Sequence, residues 1–121
     1  MFNLDKIKNV YLATGITDLR KSIDGLVTIV QTKFKLDVYN QSLFVFCNRA
    51  NDKIKIIHFD NGFWLYYRRL ESEKFKWPVS AIQTINISYS ELEWLLNGHQ
   101  VRLQKRKFKQ IKERIYYKKI C

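Results

Sequence analysis

The 121-residue chain is one domain's worth of sequence, long enough to bury a core without metal or disulfide staples. A hydrophobic fraction of 46% with only four Gly and one Pro excludes a disordered or linker-rich chain, and no stretch reaches the roughly 18 apolar residues of a membrane span. The net charge of +11 is uneven: residues 102–121 hold nine basic residues against Glu113, a basic tail on a mildly basic core that points to a polyanionic partner, nucleic acid before an anionic membrane surface.

Met1 to Val10 lacks the apolar run of a signal peptide, so a cytoplasmic protein is expected. Val10–Ala13 reads as a strand. Thr17 or Asp18 then caps a helix whose stripe is Leu19, Ile23, Leu26, Val27 and Val30, with Gly25 either a weak point or a place of close approach. From Leu43 the period changes to two, giving strands at Leu43–Cys47, Lys53–Asp60 and Phe63–Leu70. Asn61-Gly62 predicts a two-residue hairpin turn, with Asp60 opposite Phe63 and Phe59 opposite Trp64. That register places Ile54, Ile56, His58, Phe63, Leu65 and Tyr67 on the face that receives the helix. Lys53, Lys55, Ile57, Phe59, Trp64, Tyr66 and Arg68 then fall on the other. Glu71–Glu73 is a turn into a short strand at Lys74–Trp77, stopped by Pro78. Ile82, Ile85 and Ile87 suggest one more strand. Ser90 with Glu93 forms a capping box before Leu92, Leu95 and Leu96, and Gly98 ends that helix. Phe108, Ile111 and Ile115 keep a helical spacing in the tail. The class is α+β: an antiparallel β-meander with an N-terminal helix on one face, a short C-terminal helix and a basic, helical tail. Residues 1–101 form a single core domain and residues 102–121 the tail. The connections read as too short for parallel crossovers.

Little here suggests catalysis. Asp18 and Asp24 fall about 120° apart around a helix and do not converge on a metal pair. Asp60 beside a turn is ordinary turn chemistry, and Glu71 also lies at a turn. His58 reads as a packed core residue and Cys47 as a buried, reduced thiol. No Gly-rich phosphate loop, catalytic triad order or zinc spacing is present, so no cofactor and no metal are expected.

Nucleic-acid candidates are clearer. Arg20 and Lys21 are either solvated charges or a phosphate anchor at a helix start. Lys53, Lys55 and Arg68 interleave with a possible stacking platform of Phe59, Trp64 and Tyr66, whose alternative is a second packed layer under the C-terminal helix. Arg102, Lys105, Arg106, Lys107, Lys109, Lys112, Arg114, Lys118 and Lys119 supply the tail's charge.

The segment Val10-Tyr11-Leu12 through Thr17-Asp18-Leu19-Arg20-Lys21-Ser22-Ile23-Asp24-Gly25-Leu26 resembles the opening of the TnpB-type accessory proteins of IS-sixty-six-type insertion sequences, a family distinct from the RNA-guided nucleases that share the name. Leu19 and Ile23 stand where the family has Met and Phe. Leu43–Phe46, Asp52–Lys55, Phe59-Asp60, Phe63–Glu71 with Phe75 and Trp77, and Leu92–Gly98 follow in the family's order, with Phe59 at a usual Trp. The resemblance covers roughly residues 8–100. It implies a non-enzymatic bacterial protein that assists transposition, with a separate transposase and other proteins of the same element as partners; DNA as a partner is expected from the basic charge. A protein–protein adaptor that does not itself bind DNA is the alternative.

Overall fold

The computed structural model describes residues 4–100, in which five strands form one mixed sheet of order β4-β3-β2-β1-β5. A 3-10 turn at Leu4–Lys6 precedes β1 (Asn9–Ala13), α1 (Ile23–Thr28), β2 (Ser42–Cys47), β3 (Lys53–Phe59), β4 (Phe63–Arg69), β5 (Thr84–Ile87) and α2 (Tyr89–Leu96). The α+β class and the antiparallel β2-β3-β4 run are as expected. The tail readings at 102–121 lie outside the described residues.

The sheet is not a pure meander. β1 pairs parallel with β2, from Asn9↔Ser42 to Leu12↔Val45, and β5 returns antiparallel to the other side of β1. A parallel pair needs a crossover of about a dozen residues or more. The segment carrying α1 is itself that crossover, which the estimate of connection lengths overlooked.

The register of the β3-β4 hairpin also differs from the expectation. Asn61 and Gly62 do take positive φ, +55° and +131°. Asp60, however, leaves the ladder, its N–H bonding Gly62 O at 2.8 Å, so Phe59 pairs with Phe63 and His58 with Trp64. Because side chains alternate, this one-residue change turns every β4 side chain to the other face. Trp64, Tyr66 and Arg68 now share a face with Ile54, Ile56 and His58, and Phe63, Leu65, Tyr67 and Arg69 share one with Lys53, Lys55, Ile57 and Phe59.

Each face is covered by one helix. Val10, Leu12, Leu43, Val45, Ile54, Ile56, Ile85 and Ile87 pack with Leu92 and Leu95 of α2 and with Phe75. Ala13, Phe44, Phe46 and Ile57 pack with Leu19, Leu26, Val30 and Val38, and Phe63 borders that cluster. The α1 side therefore meets Ile57 and Phe63, not the predicted Ile54-Ile56-His58 face. β2, central and covered on both faces, is buried at all six positions, which accounts for its unbroken apolar run.

Three local readings shift. α1 starts at Ile23 behind Ser22, not at Thr17 or Asp18. Leu19 reaches the core from the preceding loop, and after Thr28 the helix widens into Ile29–Lys33, closed by Phe34 N–H to Ile29 O at 3.1 Å. The capping box of α2 is Ser88 with Glu91, two residues ahead of Ser90 and Glu93: Ser88 Oγ accepts from Glu91 N at 3.1 Å and Glu91 Oε1 from Ser88 N at 2.8 Å. Lys74–Trp77 forms no strand; Phe75 N–H bonds Asn51 O at 2.7 Å and the Trp77 indole N–H bonds Ala13 O at 2.8 Å. His58 is buried, with Nδ1 3.3 Å from Ser42 O. Cys47 is buried too, and burial pushes its thiol up to about 12.

Candidate nucleic-acid interface

On the α1 face, the β3-β4 end of the sheet forms the floor of an open groove of about 1100 Å³. Lys53 and Lys55 of β3 and Leu65 and Tyr67 of β4 line it, side by side because Lys55 pairs with Tyr67 and Ile57 with Leu65. The walls are the 16–20 loop and the 48–50 turn. Thr17 N–H, bonded to Cys47 O at 3.0 Å, fixes the first wall to the end of β2. Asn48 builds the second: its Oδ1 accepts from Asp52 N at 3.1 Å and Lys53 N at 3.0 Å, and its Nδ2 donates to Asp52 Oδ1 at 2.7 Å. Asn51 takes a left-handed φ of +58° to complete the turn, which presents Arg49 and Ala50 to the groove.

Four cations, Arg20, Arg49, Lys53 and Lys55, line this groove against one carboxylate, Asp18. Arg20 is held by that carboxylate, with Nη2 2.8 Å from Oδ2 and Nε 3.0 Å from Oδ1. The Arg20 guanidinium in turn holds the Asp18 carboxyl far below the usual carboxylate range. Lys55 Nζ donates to Lys21 O at 3.0 Å and lies 5.8 Å from the centre of the Tyr67 ring. Apolar and aromatic surface is exposed in the same place: Ile16 at 63%, Tyr67 at 53% and Leu65 at 37%. Rings and cations so interleaved suit a chain with flat faces and a phosphate backbone.

The structure brings together Arg20, Lys53 and Lys55 of the expected residues. Lys21 instead lines a second, smaller cleft with Lys33. Neither Arg20 nor Lys21 sits on a helix N-terminus, since both precede Ser22. Arg68 is on the opposite face, where Nη1 donates to Leu96 O at 2.6 Å and so holds the C-terminal end of α2. Its guanidinium also lies 5.8 Å from the Phe75 ring centre. Phe59, Trp64 and Tyr66 do not form one platform. Phe59 packs edge-on against Tyr39 and Phe63 at 4.9 and 5.0 Å, on the groove side of the hairpin. Tyr66 is half-buried against the α2 core. Trp64, expected under the C-terminal helix in the packed-layer reading, is 54% exposed, its indole N–H donating to Asp60 O at 3.1 Å.

Sequence reasoning missed Arg49, Ile16, Leu65 and Tyr67 as groove residues. The correct hairpin register would have paired Tyr67 with Lys55; nothing in the Asn48–Asp52 turn sequence singles out Arg49. Among the described residues no three His, Cys, Asp or Glu side chains gather as a metal site, and no helix is long and apolar enough to cross a membrane.

Comparison with known proteins agrees with the order of elements. The chain is 38% identical to the uncharacterized protein y4hO of Sinorhizobium fredii over 90 residues, covering 74% of this chain and 78% of that one. It is 31% identical to the uncharacterized protein y4jC of the same organism over 99 residues, covering 81% and 85%. No solved structure matches it. The profile of the family described as IS66 Orf2 like protein matches residues 8–106, spanning the whole sheet, both helices and both walls of the groove. The chain therefore belongs to the IS66 Orf2-like family, the accessory proteins of this class of insertion sequence.

Proposed function

We propose that this protein serves transposition as a DNA-binding accessory protein, holding DNA in the groove between the 16–20 loop, the 48–50 turn and the β3-β4 floor. One observation carries the reading: four cations and an exposed tyrosine line a groove in which Asp18, the one carboxylate among its lining residues, is tied to Arg20. Each Lys or Arg that meets a phosphate releases counterions, and an exposed ring accepts a base face without regard to sequence. The basic tail adds charge to the same partner. In this reading the protein does no chemistry itself. It acts in the cytoplasm, beside the transposase that cuts and joins.

The exposed apolar rim of Ile16 and Leu65 favours a second reading, an adaptor that seats an acidic segment of the transposase in the same groove. Fluorescence anisotropy across a salt series decides between them. The DNA reading expects an Arg49→Glu, Lys53→Glu double variant to lose at least about tenfold in affinity and to flatten the logarithmic salt slope by about one unit per lost phosphate contact. Unchanged duplex and single-strand binding by a folded double variant would reject it. Loss of transposase capture by that variant would favour the adaptor.

A further inference from the structure

Among the described residues no strand pairs with the outer edge of β4, and the sequence of that strand is complementary to itself. β4 is an end strand of the sheet, seven residues long, with no Pro, Gly or bulge. Among the described residues, Phe63, Leu65, Tyr67 and Arg69 make no backbone–backbone hydrogen bond outside the β3 ladder. Trp64, Leu65 and Tyr67, three large exposed apolar side chains, all sit on it. Native sheets usually protect such an edge with charges, Pro or a bulge, because unpaired N–H and C=O groups template another strand. Here the only charges are Arg68 and Arg69, at one end.

We propose that the occupant of this edge is a second copy of the chain, paired antiparallel through β4 about a two-fold axis at Tyr66. Tyr66 is the centre of Phe63–Arg69, so this register overlaps the whole strand with itself. It sets Trp64 opposite Arg68 of the second copy, Phe63 opposite Arg69, and Leu65 opposite Tyr67. Arg68 and Arg69, already steadied by Leu96 O and by Glu71, then each face a ring and neither faces a cation, which is the complementarity that selects a second copy over an unrelated strand. Trp64 is already fixed by its bond to Asp60 O, so little freedom is lost there. An axis normal to the sheet keeps faces in common. Leu65 and Tyr67 of both copies therefore lie on the groove side, and the two basic grooves flank the axis on one ten-stranded sheet. The pairing does not depend on the groove binding DNA, and salt separates the two: it weakens DNA binding but relieves the repulsion between two strongly basic chains.

Sedimentation equilibrium of the full chain without DNA tests the pairing. The expected result is a mass that doubles with concentration and does so more readily at higher salt. Trp64→Lys, at an exposed site, sets a cation opposite Arg68 twice per dimer and should raise the dissociation constant at least about tenfold. In a Cys121→Ser background, Tyr66→Cys should oxidise to a covalent dimer. Trp64→Cys should not, because the two copies of residue 64 are about 13 Å apart along the pair. A monomer at every concentration overturns the proposal. So does a dimer indifferent to Trp64→Lys, or one whose folded Tyr66→Cys variant does not cross-link. A full chain that stays monomeric but dimerises once residues 102–121 are removed would show the tail on this edge, and would overturn it equally.

Discussion

Asp18 and Arg20 form a pair that mutes one of the groove's four cations, the Arg20 side chain being largely exposed and that of Asp18 about half. Asp18→Asn keeps an oxygen for the Arg20 backbone N–H, a bond of 3.0 Å in the native loop, while removing the charge. The expected outcome is tighter DNA binding with a salt slope steeper by up to about one unit, read by anisotropy titration. Cys47 makes a second prediction at this scale. Burial raises its thiol from 9.0 to about 12, so on going alkaline the unfolded chain releases this proton first while the folded chain keeps it. Stability is then unaffected by this group below the ordinary thiol value and falls as pH rises between 9.0 and about 12. Denaturant titrations over that range should show the fall in the native protein and a smaller one in Cys47→Ala. Iodoacetamide at mildly alkaline pH should leave Cys47 unmodified until denaturant is added.

At the scale of elements, two overlapping Ser-x-x-Glu patterns compete for the start of α2, Ser88 with Glu91 and Ser90 with Glu93. Sequence alone does not separate them, because both satisfy the same reciprocal bonding and both precede the same leucines. The structure uses the first, with both bonds of the box formed. Ser88→Ala should therefore cost about 1 kcal/mol of stability. Ser90→Ala, inside the helix and exposed, should stay within about 0.5 kcal/mol. Thermal unfolding of the two variants side by side checks this, and equal losses would contradict the assigned cap. The α1 entry shows the same difficulty. Thr17 looked like a cap, but its backbone N–H ties the 16–20 loop to Cys47 O, and the helix starts only at Ile23.

For the whole molecule, the core is closed by two helices on two faces of one sheet within the described residues. A chain ending at Val101 is expected to keep its melting temperature while losing salt-sensitive DNA affinity in proportion to the tail contacts removed, as circular dichroism and anisotropy together would show. Full-length protein with magnesium or manganese is expected to leave element-end DNA uncut in a gel assay; cleavage abolished by Asp18→Ala or Asp60→Ala would defeat the non-catalytic reading. The class, the strands at Val10, Leu43, Lys53, Phe63 and Ile85, the positive-φ turn at Asn61-Gly62 and the basic bias were all legible in the chain, because periodicity, turn chemistry and charge are local properties. The groove was not. It depends on the β3-β4 register, and whether Asp60 stays in the ladder or leaves it turns on packing: Phe63 must reach the α1 core while Tyr66 reaches the α2 core. The parallel β1-β2 pair was hidden for the same reason, since nothing local says which side of β1 the chain rejoins after α1. Sequence by itself determined where the five strands and two helices lie to within a few residues, and the basic balance of the chain, but not that Lys74–Trp77 stays out of the sheet. Tertiary structure alone decided which face each β4 side chain occupies, and so which cations stand together, because a shift of one residue in a strand exchanges its faces without changing its local preferences.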